Sequence, residues 1–409
     1  MTAATGARPR LGQVRARMAR RSLAPTRPAT RAARPPVFLA ILGLTATLDL
    51  IGLVMVLSAS SVEALSQHLS SWYYFERQAM WVILGAGVMA LTLRVDYHRW
   101  RRYAGVVMAG SMLLLLAVLV PHVGVNVGGS SRWLGFGQFR LQPSELVKLT
   151  FVLYLADVLA RRRERTGEVR SVLPAVGLVF GPAALLIFIQ PDMGTTMVLT
   201  AIAFGVLWAA GLRLKSLAKM TALGISLAFL AGMAEPYRKA RLLSFLHPWA
   251  DRATSGYQVV QSMVGLASGG LVGVGLGASK AKWGFLPNAY TDFIFSVIGE
   301  ELGLLGSVTV VLLFTAFAVV GLRCSRRAPD TFGGLLAVGI VAWITVQAVL
   351  NIGAVIGLLP VTGVPLPLVS FGGSSLVILM AAIGVLLNIA AQGRPVPDVG
   401  TSEAAGRSR

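Results

Sequence analysis

The chain has 409 residues, 55% of them hydrophobic and only 13% charged, with a formal net charge of +20. Soluble domains of this size carry about 25% charged residues, so an ordinary soluble fold is excluded. The long uncharged runs are read as membrane-spanning segments of roughly 20 residues, and their continuous rather than alternating character selects helices over a closed barrel.

The positive charge is uneven. Nine arginines lie within residues 1–34, and most other basic residues fall in short connections. No basic element is interleaved with aromatics on a soluble fold, so nucleic acid is not the expected partner. Basic loops instead hold a membrane protein in its orientation. The single cysteine, Cys324, excludes an intramolecular disulfide, and no histidine lies near it to activate a thiol. It is placed in a cytoplasmic loop between Arg323 and Arg326.

Residues 1–36 hold Arg, Pro, Ala and Thr with few large apolar side chains, and are expected to be a disordered basic cytoplasmic tail. The first apolar run is too long for a cleaved signal and is expected to stay as the first span. Ten spans follow, at about 37–60, 77–93, 104–121, 143–160, 171–189, 193–211, 216–234, 291–321, 331–358 and 369–391. The basic stretches 94–102, 161–170, 213–219 and 323–327 each follow an even-numbered span, which puts them and both termini on the cytoplasmic side. The expected fold is therefore an all-α polytopic membrane protein, with about ten transmembrane helices over 37–392. Its largest outer loop, about 235–290, joins the seventh and eighth spans and folds back on the outer membrane face. Residues 393–409 form a loose cytoplasmic tail.

Three acidic residues, Asp292, Glu300 and Glu301, sit in or beside the apolar eighth run. Ionisable groups at such positions are functional candidates by default. Pro287 breaks the preceding structure, and Thr291 is expected to cap the helix. Ser296 and Glu300 then share the face of Asp292, with Glu300 roughly 12 Å deeper. From spacing alone, a capping Asp with a structurally paired Glu explains the pattern as well as chemistry does. Cationic partners are available on the same side at Arg132, Arg238, Lys239, Arg241, Lys280 and Lys282. Such a cluster suits a pyrophosphate, although exposed basic residues are more often simply solvated. Pro143 opens the fourth span, and Glu145 and Lys148, one turn apart, pair to lower the cost of burying both. The glycines from Gly269 to Gly277 lack the strand-before, helix-after context of a dinucleotide loop, so close packing or a re-entrant loop is the better account. Residues 360–375 cannot start as a helix. Irregular backbone of that kind is tolerated at membrane depth only when buried in protein or lining a cavity.

Taken in order, several pieces resemble the SEDS family of shape, elongation, division and sporulation proteins. They are Ser131-Arg132-Trp133, Gln142 to Lys148, Gln190 to Thr195, Arg241 to Asp251, Gly256-Tyr257-Gln258, Leu286-Pro287 with Thr291 to Phe295, Gly299 to Gly303, and Pro360 to Gly363 with Ser370 to Ser375. The wording leans to the division type over the elongation type. The resemblance implies a peptidoglycan glycosyltransferase that polymerises lipid II on the outer face of the bacterial cytoplasmic membrane. It further implies a class B penicillin-binding protein and other division proteins as partners, and Asp292 as the general base. Arg132, Trp133, Arg241 and Lys282 would lie near the substrate pyrophosphate, with Glu145, Lys148, Glu300, Ser370 and Ser374 supporting the cavity. A divalent cation, Mg²⁺ or Mn²⁺, held by Asp292 with substrate phosphates is a further expectation. Asn288 stands where family members often have Glu, and Tyr290 where many have His. Two competing readings use the same features: a lipid-precursor flippase, which needs the basic cavity but no base, and a scaffold, which needs neither.

Overall fold

The computed structural model describes residues 34–127, 130–136, 139–166, 173–233, 247–250, 252–254 and 256–393. The expectations for both terminal tails therefore lie almost wholly outside the described residues, as does residue 241. Long helices occupy all the predicted runs. They are α1 (Pro36–Ser66), α2 (Tyr73–Arg94), α3 (Tyr97–Leu119), α4 (Pro143–Thr166), α5 (Leu173–Ile189), α6 (Met193–Ala209) and α7 (Leu214–Met233). A shorter α8 (Tyr257–Ser268) follows, then α9 (Ile294–Arg327), α10 (Thr331–Val355) and α11 (Gly373–Gln392). Of these, α1, α3, α9, α10 and α11 are long and apolar enough to cross a membrane, while α5 and α6 are apolar but shorter.

The two last helices form the centre. The most apolar stretch of α11 is 83% buried, against 22% for that of α9, so that stretch of α9 lies at the periphery. Around α10 pack α4, α6 and α9, with Trp343, Ile340 and Ile344 fully buried. At one end of the bundle the basic connections are tied together. Asp330 accepts from the Tyr97 hydroxyl and lies 3.2 Å from the His98 ring, and Asp157 accepts from Arg101. These partners explain why α3 begins at Tyr97, seven residues before the predicted apolar run: its polar first turns have their own contacts.

Three expectations need correction. The fold is not purely helical, because β1 (Gly124–Val127), β2 (Ser130–Phe136) and β3 (Phe139–Leu141) form an antiparallel sheet in order β1-β2-β3. Its valines and aromatic residues favour extended strands. Cys324 and Arg323–Arg327 lie in the last turns of α9, not in a loop. There Cys324 is buried and Ser325 donates to the Gly334 carbonyl of α10. Thr291 does not cap α9. Its hydroxyl donates back to the Asn288 carbonyl, and the helix starts at Ile294 with no side-chain cap.

The most consequential irregularity is inside α9. Gly303 has φ +67° and ψ −163°, which breaks the helix. The carbonyls of Glu300 and Glu301 accept from the amides of Val274 and Gly275, at 3.0 and 3.1 Å. In return, the amides of Leu304 and Leu305 donate to the carbonyls of Gly270 and Leu271. The glycine-rich loop is thus spliced into the broken helix and replaces its missing ladder. A Cβ on Gly269, Gly273 or Gly303 would overlap backbone of the opposite segment.

We expect Gly273→Ala to lower the melting temperature of the detergent-solubilised protein sharply, because the new methyl meets Glu301 backbone at a positive φ. Gly270→Ala, at φ +55° with open space around it, should cost only about 1 kcal/mol. Equal melting temperatures for the two variants would contradict the splice.

Candidate functional site

Asp292 lies in the turn just ahead of α9, half-buried. Its turn is set by Asn288, at φ +60°, whose carbonyl accepts from the amides of Thr291 and Phe293. Three consecutive carbonyls of this turn are then held from outside. Phe371 N donates to Tyr290 O at 3.0 Å, the Ser370 hydroxyl donates to Thr291 O, and Asn351 Nδ2 donates to Asp292 O at 2.7 Å. The carboxylate faces Gly363, where a Cβ would stand 3.7 Å from Oδ2. Tyr74, Tyr290 and Phe371 pack ring against ring beside the turn, with centroids 4.7–5.8 Å apart. Burial, and then the hydroxyl of Tyr74, push the Tyr290 phenol well above its usual range, so it stays neutral.

The segment that grips the turn, residues 356–372, is itself irregular, exposed at its start and deep from Val364 onward. Val364, Leu366, Leu368 and Val369 are all buried. Its backbone is satisfied by side chains. Gln347 donates to Pro365 O at 3.0 Å, Asn351 to Val364 O at 2.8 Å, and Gln78 to Ser370 O at 3.3 Å. The Ser370 hydroxyl accepts from Leu366 N. Gly194 at the start of α6 leaves room for Thr362 and Val364, and Gly52 on α1 for Leu368 and Val369.

Glu145 and Lys148 form the expected pair, at 2.7 Å and almost wholly buried. Lys148 also donates to Gln347 Oε1 at 2.9 Å, which receives the Trp343 indole N–H as well, and its ammonium lies 5.0 Å from the Trp343 ring centroid. A cavity of about 10 Å³, room for about one water, is lined by Glu145, Gln347, Pro365, Ser370 and Leu376 among others. Ser374 is buried nearby and accepts from Gln142 N.

The remaining candidates are elsewhere. Glu300 does not share a helical face with Asp292, since the helix begins two residues after Asp292. It accepts instead from the Ser279 hydroxyl and from the amides of Lys280 and Ala281. Glu301 accepts from Ser58 and lies 3.5 Å from Lys282 Nζ. Lys282 is buried and also donates to Gly277 O. Its charge is engaged in anchoring the glycine-rich loop, so any contact with a pyrophosphate would first have to break that ion pair. Arg132 on β2 donates to the carbonyls of Gln190 and Pro191, at 2.7 and 2.6 Å, at the C-terminal end of α5. Trp133 pairs across the sheet with Val125. Arg241 lies outside the described residues.

Among the described residues, no three His, Cys, Asp or Glu side chains gather at one point. One carboxylate fits only a hard cation that arrives with substrate phosphates, as Mg²⁺ commonly does, and not an all-protein cage.

Sequence reasoning missed Gln78, Trp343, Gln347 and Asn351. The last three recur every fourth residue along α10, an indole N–H and two amides in one stripe on an otherwise apolar helix. Polar residues in such a helix are costly to bury, and that was the signal available.

These features define a polytopic helical membrane protein with a polar site built from irregular backbone at one end of its bundle. A family model described as cell cycle protein, of the FtsW/RodA/SpoVE type, matches residues 38–394, and the chain belongs to that family. It is 38% identical over 359 residues to the probable peptidoglycan glycosyltransferase FtsW of Geobacter metallireducens, covering 88% of this chain and 96% of that protein. Over 366 residues it is 40% identical to stage V sporulation protein E of Bacillus subtilis, covering 89% and 99%. Its fold is similar, at TM-score 0.73 and 28% identity, to a chain from work on the structural coordination of polymerization and crosslinking by a peptidoglycan synthase complex, covering 89% of this chain and all of that one.

Replacing Glu145 with Gln should strand the Lys148 ammonium and cost roughly 3–5 kcal/mol of stability, read as a lowered melting temperature in detergent. Replacing both partners by apolar residues of similar volume should restore most of the loss.

Proposed function

We propose that this protein is a peptidoglycan glycosyltransferase, which polymerises lipid II at the outer face of the cytoplasmic membrane with Asp292 as general base. The observation that carries the reading is the Asp292 turn itself: a half-buried carboxylate over Gly363, with three successive carbonyls held by hydrogen bonds. Family membership and the relatives named as glycosyltransferases support it.

The chemistry fits the residue. A sugar hydroxyl is a weak nucleophile, and a positioned carboxylate takes its proton as the oxygen attacks the anomeric carbon of the donor. The glycosidic C–O bond to the lipid pyrophosphate breaks as the new one forms. A single displacement turns an α-linked donor into a β-linked product. The leaving pyrophosphate needs cationic stabilisation. We assign that to Arg241 and to Arg132, whose guanidinium sits at the Gln190-Pro191 turn, and we give Lys282 the task of anchoring the glycine-rich loop. A Mg²⁺ or Mn²⁺ ion, where bound, would neutralise phosphate charge beside Asp292.

The membrane arrangement belongs to the same proposal. Ten helices span, both tails are cytoplasmic, and the basic connections joined through Asp157 and Asp330 face the cytoplasm. The Asp292 turn, the sheet and residues 356–372 then face outward. The proposed partner is a class B penicillin-binding protein that crosslinks the strands, and the proposed setting is the division septum. The similarity to a sporulation protein leaves the division setting as part of the proposal.

The test is polymerisation of labelled lipid II by the full chain with its penicillin-binding partner and a divalent cation. Asp292→Asn should fold normally and lose about a hundredfold or more in rate. Equal polymer from both proteins would remove Asp292 as the base. No polymer from either, with lipid II translocation intact in liposomes, would favour a flippase.

A further inference from the structure

Asn351 does more than fill α10. It is buried to 2% exposure, and both hydrogens of its amide are committed, one to Asp292 O at 2.7 Å and one to Val364 O at 2.8 Å. Both acceptors are carbonyls, so only the nitrogen can face them, and the orientation of the amide is fixed by its partners. The cost is visible on the other side of the group. Asn351 Oδ1 is buried and has no hydrogen-bond partner among the described residues. A side chain that leaves its acceptor orphaned to place two donors is arranged for those donors.

What the two donors join is the point. Val364 follows directly on Gly363, the residue against which the Asp292 carboxylate stands. One amide therefore fixes the backbone of the acid and the backbone of the wall it faces. One turn away on the same helix, Gln347 holds the adjoining carbonyl, Pro365 O, and accepts from Lys148. A continuous set of hydrogen bonds runs from Glu145 through Lys148, Gln347 and residues 364–365 to Asn351 and Asp292.

We propose that Asn351 is a positioning residue for Asp292, setting the distance between its carboxylate and the Gly363 wall through their backbones. The inference rests on the reading of Asp292 as the base. Asn351 touches neither carboxylate nor sugar and acts only through geometry. Misplacement of a reacting group by about 1 Å can cost on the order of 100-fold in rate.

The experiment compares wild type, Asn351→Leu, Ser370→Ala and Asp292→Asn as full-length proteins with the penicillin-binding partner. It measures kcat and KM for lipid II polymerisation together with melting temperature. Leucine keeps the branched four-atom shape of Asn351 and removes both donors. We expect Asn351→Leu to lose roughly 10- to 100-fold in kcat with KM changed by less than about threefold. Wild-type kcat in a folded Asn351→Leu protein would overturn the proposal, as would losses confined to melting temperature and KM. Should Asn351→Leu fail to fold, Ser370→Ala, which frees the neighbouring Thr291 carbonyl, is judged by the same criteria. Activity retained in Asp292→Asn would instead sink the base assignment and, with it, this role. A dead Asp292→Asn beside a fully active Asn351→Leu would sink the positioning role alone.

Discussion

The structure depends on satisfying backbone that is neither helix nor sheet in a place where water is scarce. Residues 364–370 run irregularly through the protein interior, with Val364, Leu366, Leu368 and Val369 buried. A buried peptide group without a partner is expensive, more so at membrane depth. The remedy here is a set of side-chain amides and hydroxyls, Gln78, Gln347, Asn351 and Ser370, each placed by a helix or by the segment itself. Once that set exists, the segment is stiff enough to hold something else, and what it holds is the Asp292 turn.

The same logic recurs at the glycine-rich loop, with backbone as the partner. The carbonyls of Glu300 and Glu301 lose their helical donors at Gly303 and gain those of Val274 and Gly275. The two carboxylates are then turned to the loop that follows, through Ser279, Lys280, Ala281 and Lys282. A stretch that reads as a run of catalytic acids is therefore divided. Asp292 is half-buried against Gly363, while Glu300 and Glu301 are structural, each buried and each satisfied. The opposite roles follow from position relative to the helix start at Ile294 and the break at Gly303.

Much of this was legible in the chain. The apolar runs located the long helices, because length and hydropathy decide a membrane helix, but missed polar turns at several ends, those of α3 most of all, and the short α8. The Glu145–Lys148 pair followed from its i,i+3 spacing within an apolar segment. Other features were not legible, for identifiable reasons. The sheet over 124–141 is short and sits in a connection, where alternation over a few residues is a weak signal. The partners of Arg132 and Lys282 are backbone carbonyls and a distant glutamate, and charge counting cannot see either. Gln347 and Asn351 carry no charge to mark them in the sequence, and neutral amides satisfy buried backbone without the cost of a charge. The cap assigned to Thr291 failed because Asn288, in a left-handed conformation, starts the turn earlier than the pattern suggested.

The break at Gly303 also bears on how this part of the chain enters the bilayer. The portion of α9 after the break, Leu304–Arg327, is 24 residues by its numbering. At 1.5 Å per residue that is about 36 Å, enough to cross the hydrocarbon unaided. The insertion machinery can therefore treat Leu304 onward as a complete hydrophobic segment. The preceding half-helix, with its two glutamates, has no need to satisfy a hydropathy threshold for translocation. Its polar cargo is met instead by the loop that shares its hydrogen bonds, which offsets the penalty the same residues would carry in an ordinary span.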